Sequence, residues 1–434
     1  MTVSVAIVGS GPAAFYTAQA LAESLGDGVA IDIVERFPSP YGLIRFGVAP
    51  DHQTTKKVSR AFEKTALLPQ VRFFGNVEIG RDLSLDELRE LYDAVVLAVG
   101  APFDRPIGIP GEDKTGVYGS AAFVGWYNGH PDFQDLKPDL RTKVVAVIGN
   151  GNVAIDVARV LVKTPAEMAD ADLTEQAAAA IHAAPITDVY MFGRRGPIDA
   201  KFTNVELREM GKLDICAPIV DAAQLPATVG DLDDDRERRL KERNLATLKD
   251  FAARPPETKP KRVHFAFYAS PVEILGGERV EAIKLERTRV VGGRAEGTGE
   301  FFTVPCGVVI PAVGYRSVAV DGAPFDTKAA IVPSKDGRVG PGLYAVGWIK
   351  RGPTGVIATN RPDGETVAEH VKADVAKGSK PGRIAFQTLL EERDVRWVTF
   401  GDWKKIEAAE IARATPPSPR RKFTSVAEML GALG

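Results

Sequence analysis

The sequence predicts an α/β protein of two Rossmann-like, three-layer domains, one inserted in the other. Two observations carry this. A strand–glycine turn–helix–strand unit occurs twice, opening at Val3 and again at Val144. An apolar strand ending in a small-residue turn also stands on each side of the second unit, at 95–100 and at 307–314, as two crossings between domains would. The expected boundaries are 1–103 and 313–434 for the outer domain and 104–312 for the inserted one.

In the first unit, Val3–Val8 is a short β-branched apolar run, the pattern of a buried strand. It leads into Gly9-Ser10-Gly11-Pro12-Ala13-Ala14. Phe15, Ala18, Leu21, Ala22 and Leu25 follow at helical spacing, and a second strand, 30–34, ends on Glu35. This is G-x-G-x-x-G/A in the context it requires. Gly9 allows the tight turn, Gly11 lets backbone approach a pyrophosphate, and Ala14 lets helix and strand pack closely. Free N–H groups at the helix start suit phosphate, and Glu35 can accept hydrogen bonds from a ribose hydroxyl. A merely structural glycine turn would not need the terminal acid. The motif alone does not separate FAD from a nicotinamide.

Bulk properties narrow the class. The 434 residues, 44% hydrophobic and 26% charged with a net charge of −2, describe an ordinary globular α/β chain with no basic excess for nucleic acid. Cys216 and Cys306 are the only cysteines and form no C-x-x-C, which argues against a redox-active dithiol and a cysteine-held iron–sulfur cluster. The five histidines show no metal-ligand spacing. A strand beginning at Val3 leaves no room for a targeting peptide and no long apolar run suits a membrane span, so a cytoplasmic location is expected.

Residues 36–52 form a long loop mixing aromatics with Gly and Pro, which suits a wall of a ligand pocket. A helix over 56–67 and strands over 71–78 and 94–99 follow. The second unit runs from the strand Val144–Ile148 through Gly149-Asn150-Gly151-Asn152-Val153-Ala154 into a helix, 153–162. After a helical insert, 173–183, the strand Asp188–Phe192 ends on Gly193-Arg194-Arg195-Gly196-Pro197 instead of an acid. An acid here favours the free 2′-hydroxyl of NAD, whereas arginine accommodates the 2′-phosphate of NADP. At roughly 1.5–3 kcal/mol per charge-assisted bond, two arginines give roughly 10²–10⁴-fold preference for NADPH, less where water screens them. Two solvated surface arginines are the bland alternative.

Residues 231–254 read as an exposed amphipathic helix bearing Arg236, Arg238, Arg239 and Arg243, either a solvated face or a docking surface for an acidic partner. Strands over 263–267, 282–289 and 301–304 form a β-rich return. A helix starting near Gly355 would carry Val356, Ile357, Val367, Ala368 and Val371 inward, its N–H groups facing a ligand carbonyl that gains negative charge. The tail holds a helix over 403–414, a Pro-rich break over 416–419 and an amphipathic piece over 426–433. Its basic run Arg420-Arg421-Lys422 reads as solvated.

Two fingerprints imply two dinucleotides. The second suits NADPH, which leaves FAD for the first. The run Tyr41-Gly42-Leu43-Ile44-Arg45-Phe46-Gly47-Val48-Ala49-Pro50-Asp51-His52 closely resembles the signature loop of the adrenodoxin reductase family, which includes ferredoxin–NADP reductases of the FprA type. So do Phe123-Val124-Gly125-Trp126-Tyr127-Asn128, 149–159, 193–197 and 347–360. The resemblance spans the chain from the first strand into the tail. It implies a glutathione-reductase-like fold with the NADP domain inserted in the FAD domain. It also implies hydride transfer between NADPH and FAD, then single-electron exchange with a ferredoxin-type iron–sulfur protein. An NADPH diaphorase or quinone reductase is the alternative. A flavin module of a glutamate-synthase-like complex would carry cysteine-rich segments, which this chain lacks.

By the same resemblance FAD would be held by Gly9, Gly11, Pro12, Ala13, Ala14, Glu35, Gly42, Leu43, Val48, Val77, Trp348, Gly355, Val356 and Ile357. NADPH would be held by Arg105, Asn150, Gly151, Asn152, Val153, Arg194, Arg195 and Glu206. His52 and Glu209 would be the polar pair near the nicotinamide–flavin contact, and a ferredoxin would dock near Arg236, Arg238, Arg239 and Arg243. Arg361-Pro362-Asp363-Gly364 departs from the family pattern.

Overall fold

The computed structural model describes residues 2–255 and 259–434. The chain divides into two compact units, Met1–Phe103 with Asn128–Gln134 and Gly314–Gly434, and Asp104–Tyr127 with Asp135–Val313. Against the expected boundaries, 128–134 joins the outer segments and Val313 the inserted one. The reason lies in the packing of 128–134. The His130 ring lies 5.1 Å from Phe37 and 4.9 Å from Phe46, and Asn128 Oδ1 accepts from Lys56 Nζ at 3.4 Å.

The first unit is built on a six-stranded sheet in the order Arg338–Gly340, Leu343–Ala345, Ala94–Leu97, Val3–Val8, Val29–Glu35, Val71–Gly75. Val3–Val8 pairs in parallel with a strand on each side, and all of its residues are buried. That is why it reads as an apolar run without alternation, broken only by Ser4, whose hydroxyl donates to Asp93 at 2.8 Å. The helix Pro12–Leu25 packs on the helix Asn360–Asp374. They meet at Gly364, where an added Cβ would lie 2.7 Å from the Thr17 nitrogen.

The helix expected near Gly355 begins later. A single 3₁₀ turn, Ile357–Thr359, precedes the α-helix at Asn360, because Gly355 has φ +85° and the Thr359 hydroxyl takes the Val356 N–H at 3.0 Å. The unfamiliar 361–364 run has a local purpose. Pro362 sits in the first helical turn, where its missing N–H costs little. Asp363 accepts the Gly347 N–H at 3.1 Å and pairs with Lys350 at 2.8 Å and with Arg351.

The helix expected over 56–67 divides into Gln53–Lys56 and Ser59–Ala66, and the loop over 36–52 contains a short helix, Leu43–Phe46. The basic tail run is not solvated as expected. Lys422 is buried, with Nζ donating to the carbonyls of Arg45 and Asn128, each at 3.1 Å. Arg420 pairs with Glu407 at 3.0 Å. The run crosses the helix Phe400–Ala412, whose Glu410 is fully buried against Arg45.

The second unit has a parallel five-stranded sheet, Val308–Pro311, Val144–Ile148, Asp188–Phe192, Lys261–Ala266, Cys216–Val220. The last strand was not foreseen. It tolerates Pro218 because it lies at the sheet edge. An antiparallel sheet, Ala269–Leu275, Ala282–Val291 and Arg294–Pro305, lengthens the expected return strands into a hairpin turning at Gly292-Gly293. Among the described residues no helix is long and apolar enough to cross a membrane.

Two outcomes follow for stability. Burial pushes the His130 pKa down to about 4. Its folded value lies below the unfolded one, so the unfolded chain binds more protons as pH falls. The first unit therefore loses up to roughly 3 kcal/mol between about pH 6.5 and pH 4. Melting temperature against pH should show that slope, and His130→Phe should flatten it; an unchanged slope in the variant contradicts this. Glu410→Gln, which strands the buried Arg45 guanidinium, should cost roughly 3–5 kcal/mol in urea unfolding, with much of it recovered by Arg45→Met/Glu410→Leu. A loss under about 1 kcal/mol would mean the pair is not sealed from water.

Candidate cofactor sites

The first glycine turn has little freedom. Gly9 adopts φ +103°, and a Cβ there would lie 2.6 Å from the Ala98 carbonyl oxygen. Gly11 is the N-cap of Pro12–Leu25, no side chain caps that end, and the Phe15 N–H closes onto Gly11 O at 3.2 Å. A Cβ on Gly11 would meet nothing within 4 Å. Pro12, Ala13 and Ala14 thus open a helix whose positive end faces free space, which fits a phosphate.

Glu35 is buried beneath this turn. Its Oε2 accepts from Ser10 N at 3.0 Å and Ser10 Oγ at 2.6 Å, and its Oε1 accepts from Phe37 N at 3.1 Å. Burial pushes its pKa above the ordinary carboxylate value against those donors. Each carboxylate oxygen can take two donors, so Oε1 keeps capacity for a ribose hydroxyl. Val77 is tied to the same strand end, its N–H on Glu35 O at 2.9 Å.

The loop after Glu35 folds back over the turn. Tyr41 N–H donates to Ser10 O at 3.0 Å, and a Cβ on Gly42 would lie 3.1 Å from Gly11 Cα. Leu43 opens the short helix, and Val48 closes it through an N–H on Leu43 O at 2.7 Å. His52 is the half-buried residue preceding Gln53–Lys56.

Farther along the same unit, Trp348 Nε1 donates to Thr354 O at 3.0 Å, and its ring lies 6.0 Å from Tyr315. Val356, expected to point inward, is instead 63% exposed, because it precedes the helix, and it lies beside the half-buried Ile357. An apolar pair left open after the left-handed Gly355 suits the face of a ring system.

The second turn repeats the first. A Cβ on Gly149 would lie 2.4 Å from Ala312 O, one on Gly151 would meet nothing within 4 Å, and no side chain caps Asn152–Val162. The flanking asparagines stitch the turn to the chain beyond. Asn150 O accepts from Lys201 N at 2.7 Å, and Asn152 Oδ1 from Thr203 N at 2.8 Å. Val153 lies in the first turn of the helix.

Those bonds fix the start of the helix Asn204–Met210, which carries Glu206 and Glu209 three positions apart on one face. Both face Arg159, which is fully buried and reaches Asp156 at 2.9 Å, Glu206 at 3.3 Å and Glu209 at 3.8 Å. Sequence reasoning gave Arg159 no role. The available signal was a basic residue three after Asp156 on an otherwise apolar helix.

Arg194 is exposed, and Arg195 lies 3.2 Å from Asp199. Arg105 is exposed at the start of the inserted segment. On the helix Asp235–Ala252, Leu245, Leu248 and Phe251 point inward while Arg236, Arg239 and Arg243 are exposed. Arg238 is partly engaged, by Asp235 at 3.2 Å and the Leu232 carbonyl. The two thiols take no part. Cys216 and Cys306 are buried and free, and burial pushes each up to about 12.

Two glycine turns with uncapped helix starts, one strand ending on an acid and the other on two arginines, define a pyridine-nucleotide oxidoreductase with two dinucleotide folds. A model described as pyridine nucleotide-disulphide oxidoreductase matches residues 3–187. The chain is 42% identical to the Mycobacterium tuberculosis NADPH-ferredoxin reductase FprA, covering 98% of each. It is 42% identical to the human mitochondrial NADPH:adrenodoxin oxidoreductase, over 100% of this chain and 92% of the relative. The solved structure of M. tuberculosis FprA in complex with NADPH aligns over 100% of both chains with a TM-score of 0.95 and 41% identity. The chain belongs to the adrenodoxin reductase and FprA family, and it is an NADPH-dependent flavoprotein oxidoreductase.

Arg194→Ala with Arg195→Ala should raise the NADPH KM roughly 10²-fold or more and leave NADH nearly unchanged, in steady-state assays with a dye acceptor. Equal loss for both nucleotides would contradict a 2′-phosphate role.

Proposed function

We propose that this chain is an FAD-dependent ferredoxin–NADP reductase. FAD, when bound, converts two-electron hydride exchange with NADPH into single-electron exchange with an iron–sulfur protein. The observation that carries the reading is the pair of uncapped glycine turns whose second strand ends on Arg194-Arg195.

Residues 9–14 present backbone N–H groups to the FAD pyrophosphate, Glu35 holds its ribose, and Gly42, Leu43, Val48 and Val77 enclose it. Trp348 and 355–357 cover the ring. Asn150, Gly151, Asn152 and Val153 receive the NADPH pyrophosphate, and Arg194 and Arg195 receive its 2′-phosphate, with Arg105 and Glu206 completing that set. His52 and Glu209 orient the nicotinamide carboxamide or hold a proton there, and Arg159 fixes the Glu209 carboxylate. A ferredoxin docks through acidic groups on the exposed Arg236, Arg239 and Arg243.

Turnover with a purified ferredoxin against a quinone tests the acceptor. NADPH oxidation should be faster with ferredoxin, and its KM should rise steeply with salt, because exposed charges are screened. A quinone accepted as fast as ferredoxin, with no salt dependence, favours a small-molecule acceptor.

A further inference from the structure

The Gly193–Gly196 turn is held from outside its own domain layer. Each of its first three carbonyls has a donor on the antiparallel sheet of the same unit or on Tyr268, the residue just before it. Ala269 N–H donates to Gly193 O at 3.0 Å and Tyr268 N–H to Arg195 O at 3.2 Å. The third bond, Thr288 Oγ1 to Arg194 O at 2.7 Å, is the one made by a side chain.

The local backbone is shaped to make these bonds. Tyr268 adopts φ +55°, a conformation rare for a bulky residue. It can then donate to Arg195 while its own carbonyl accepts the Thr288 N–H at 2.9 Å. Its hydroxyl end lies over Gly196, where a Cβ would come within 2.4 Å of Tyr268 Oη. The register of the hairpin shifts between Glu286 and Thr288. Such a bulge re-aims the residue that follows it, and Thr288 is buried as a result, its hydroxyl on the arginine turn. The hairpin tip adds an acceptor for a side chain, Gly293 O lying 3.4 Å from Arg195 Nη1.

We propose that Thr288 is a positioning residue for cofactor choice: its hydroxyl fixes the Arg194–Arg195 peptide, so that both guanidinium groups converge on a 2′-phosphate. This rests on the NADPH reading of the Arg194-Arg195 turn. The peptide plane between the two arginines sets the direction in which each side chain leaves the backbone. With the hydroxyl gone, the Arg194 carbonyl is left with no side-chain donor and the peptide can rotate, while the phosphate-facing turn at 149–153 is untouched.

The test is equilibrium titration of the isolated flavoprotein with 2′,5′-ADP and with 5′-AMP, which needs no turnover. Thr288→Val keeps the shape and removes the donor. It should weaken 2′,5′-ADP by roughly five- to tenfold and leave 5′-AMP unchanged. It should also raise the NADPH KM at constant kcat. Thr288→Ser, which keeps the hydroxyl, should restore binding, and Thr288→Ala, which adds no bulk, should repeat the loss. Equal weakening of both nucleotides, no weakening of either, or valine and alanine variants that fail to fold assigns Thr288 to stability alone and overturns the proposal. The same titration on the unaltered protein separates the two ideas. If it binds 2′,5′-ADP no better than 5′-AMP, the NADPH reading itself fails. If the unaltered protein discriminates and the Thr288 variants do so equally well, only the present inference fails.

Discussion

The first unit depends on one buried charge pair. Arg45 leaves the loop that folds over the first glycine turn, and Glu410 leaves a helix 365 residues later. The Arg45 Nη1–Glu410 Oε2 contact is 2.9 Å, and both side chains are almost completely enclosed. The guanidinium also lies 5.0 Å over the Trp403 ring. Phe423 N–H adds a bond to Glu410 at 2.9 Å, and Lys422 caps the Arg45 carbonyl. Burying two charges costs nearly what their attraction returns, so the pair contributes little net stability over an apolar equivalent. Its effect is on uniqueness. Each charge is tolerable only with the other in place, so the loop over 41–48 has one acceptable position on the turn beneath it. The chain end therefore holds the loop that folds over the first glycine turn.

The two glycine turns show one local solution used twice. Both place a glycine whose Cβ would strike a carbonyl of a neighbouring strand end, Ala98 in one and Ala312 in the other. Both leave an uncapped helix start facing open space. They differ in what supports the second strand's end. Glu35 is satisfied by donors within its own turn, through Ser10 and Phe37. The arginine end is instead supported through its backbone carbonyls, held by the hairpin of a separate sheet, while the Arg195 side chain pairs with Asp199. The hairpin that supplies this support carries a bulge, and a left-handed tyrosine stands beside the turn.

Elements made by neighbours in sequence were legible in the sequence. Val3–Val8 and Val144–Ile148 could be read from β-branched apolar runs, Asp188–Phe192 from its apolar and aromatic residues, and both fingerprints from glycine spacing, because strand burial and turn sterics are local. The Arg194-Arg195 pair was legible for the same reason. Errors gathered where distant groups decide the outcome. The 420–422 run looked solvated because nothing nearby reveals that Glu407, Glu410 and the Arg45 carbonyl receive it. The late start of the helix after Gly355 is the local exception, set by the left-handed Gly355 and the Thr359 hydroxyl on the Val356 N–H. Arg159 passed without a role because its partners Glu206 and Glu209 come some fifty residues later.

The sequence by itself determined the class of the fold, the presence of two dinucleotide turns and the charge offered at the end of each. These follow from steric and electrostatic rules acting over a few residues. The tertiary structure decided which carboxylates the buried Arg159 holds, how the tail anchors the loop after Glu35, and which hydroxyl braces the arginine turn. Each of these is a pairing across tens to hundreds of residues. Periodicity carries no record of such a pairing, because the donor and the acceptor need only meet in space.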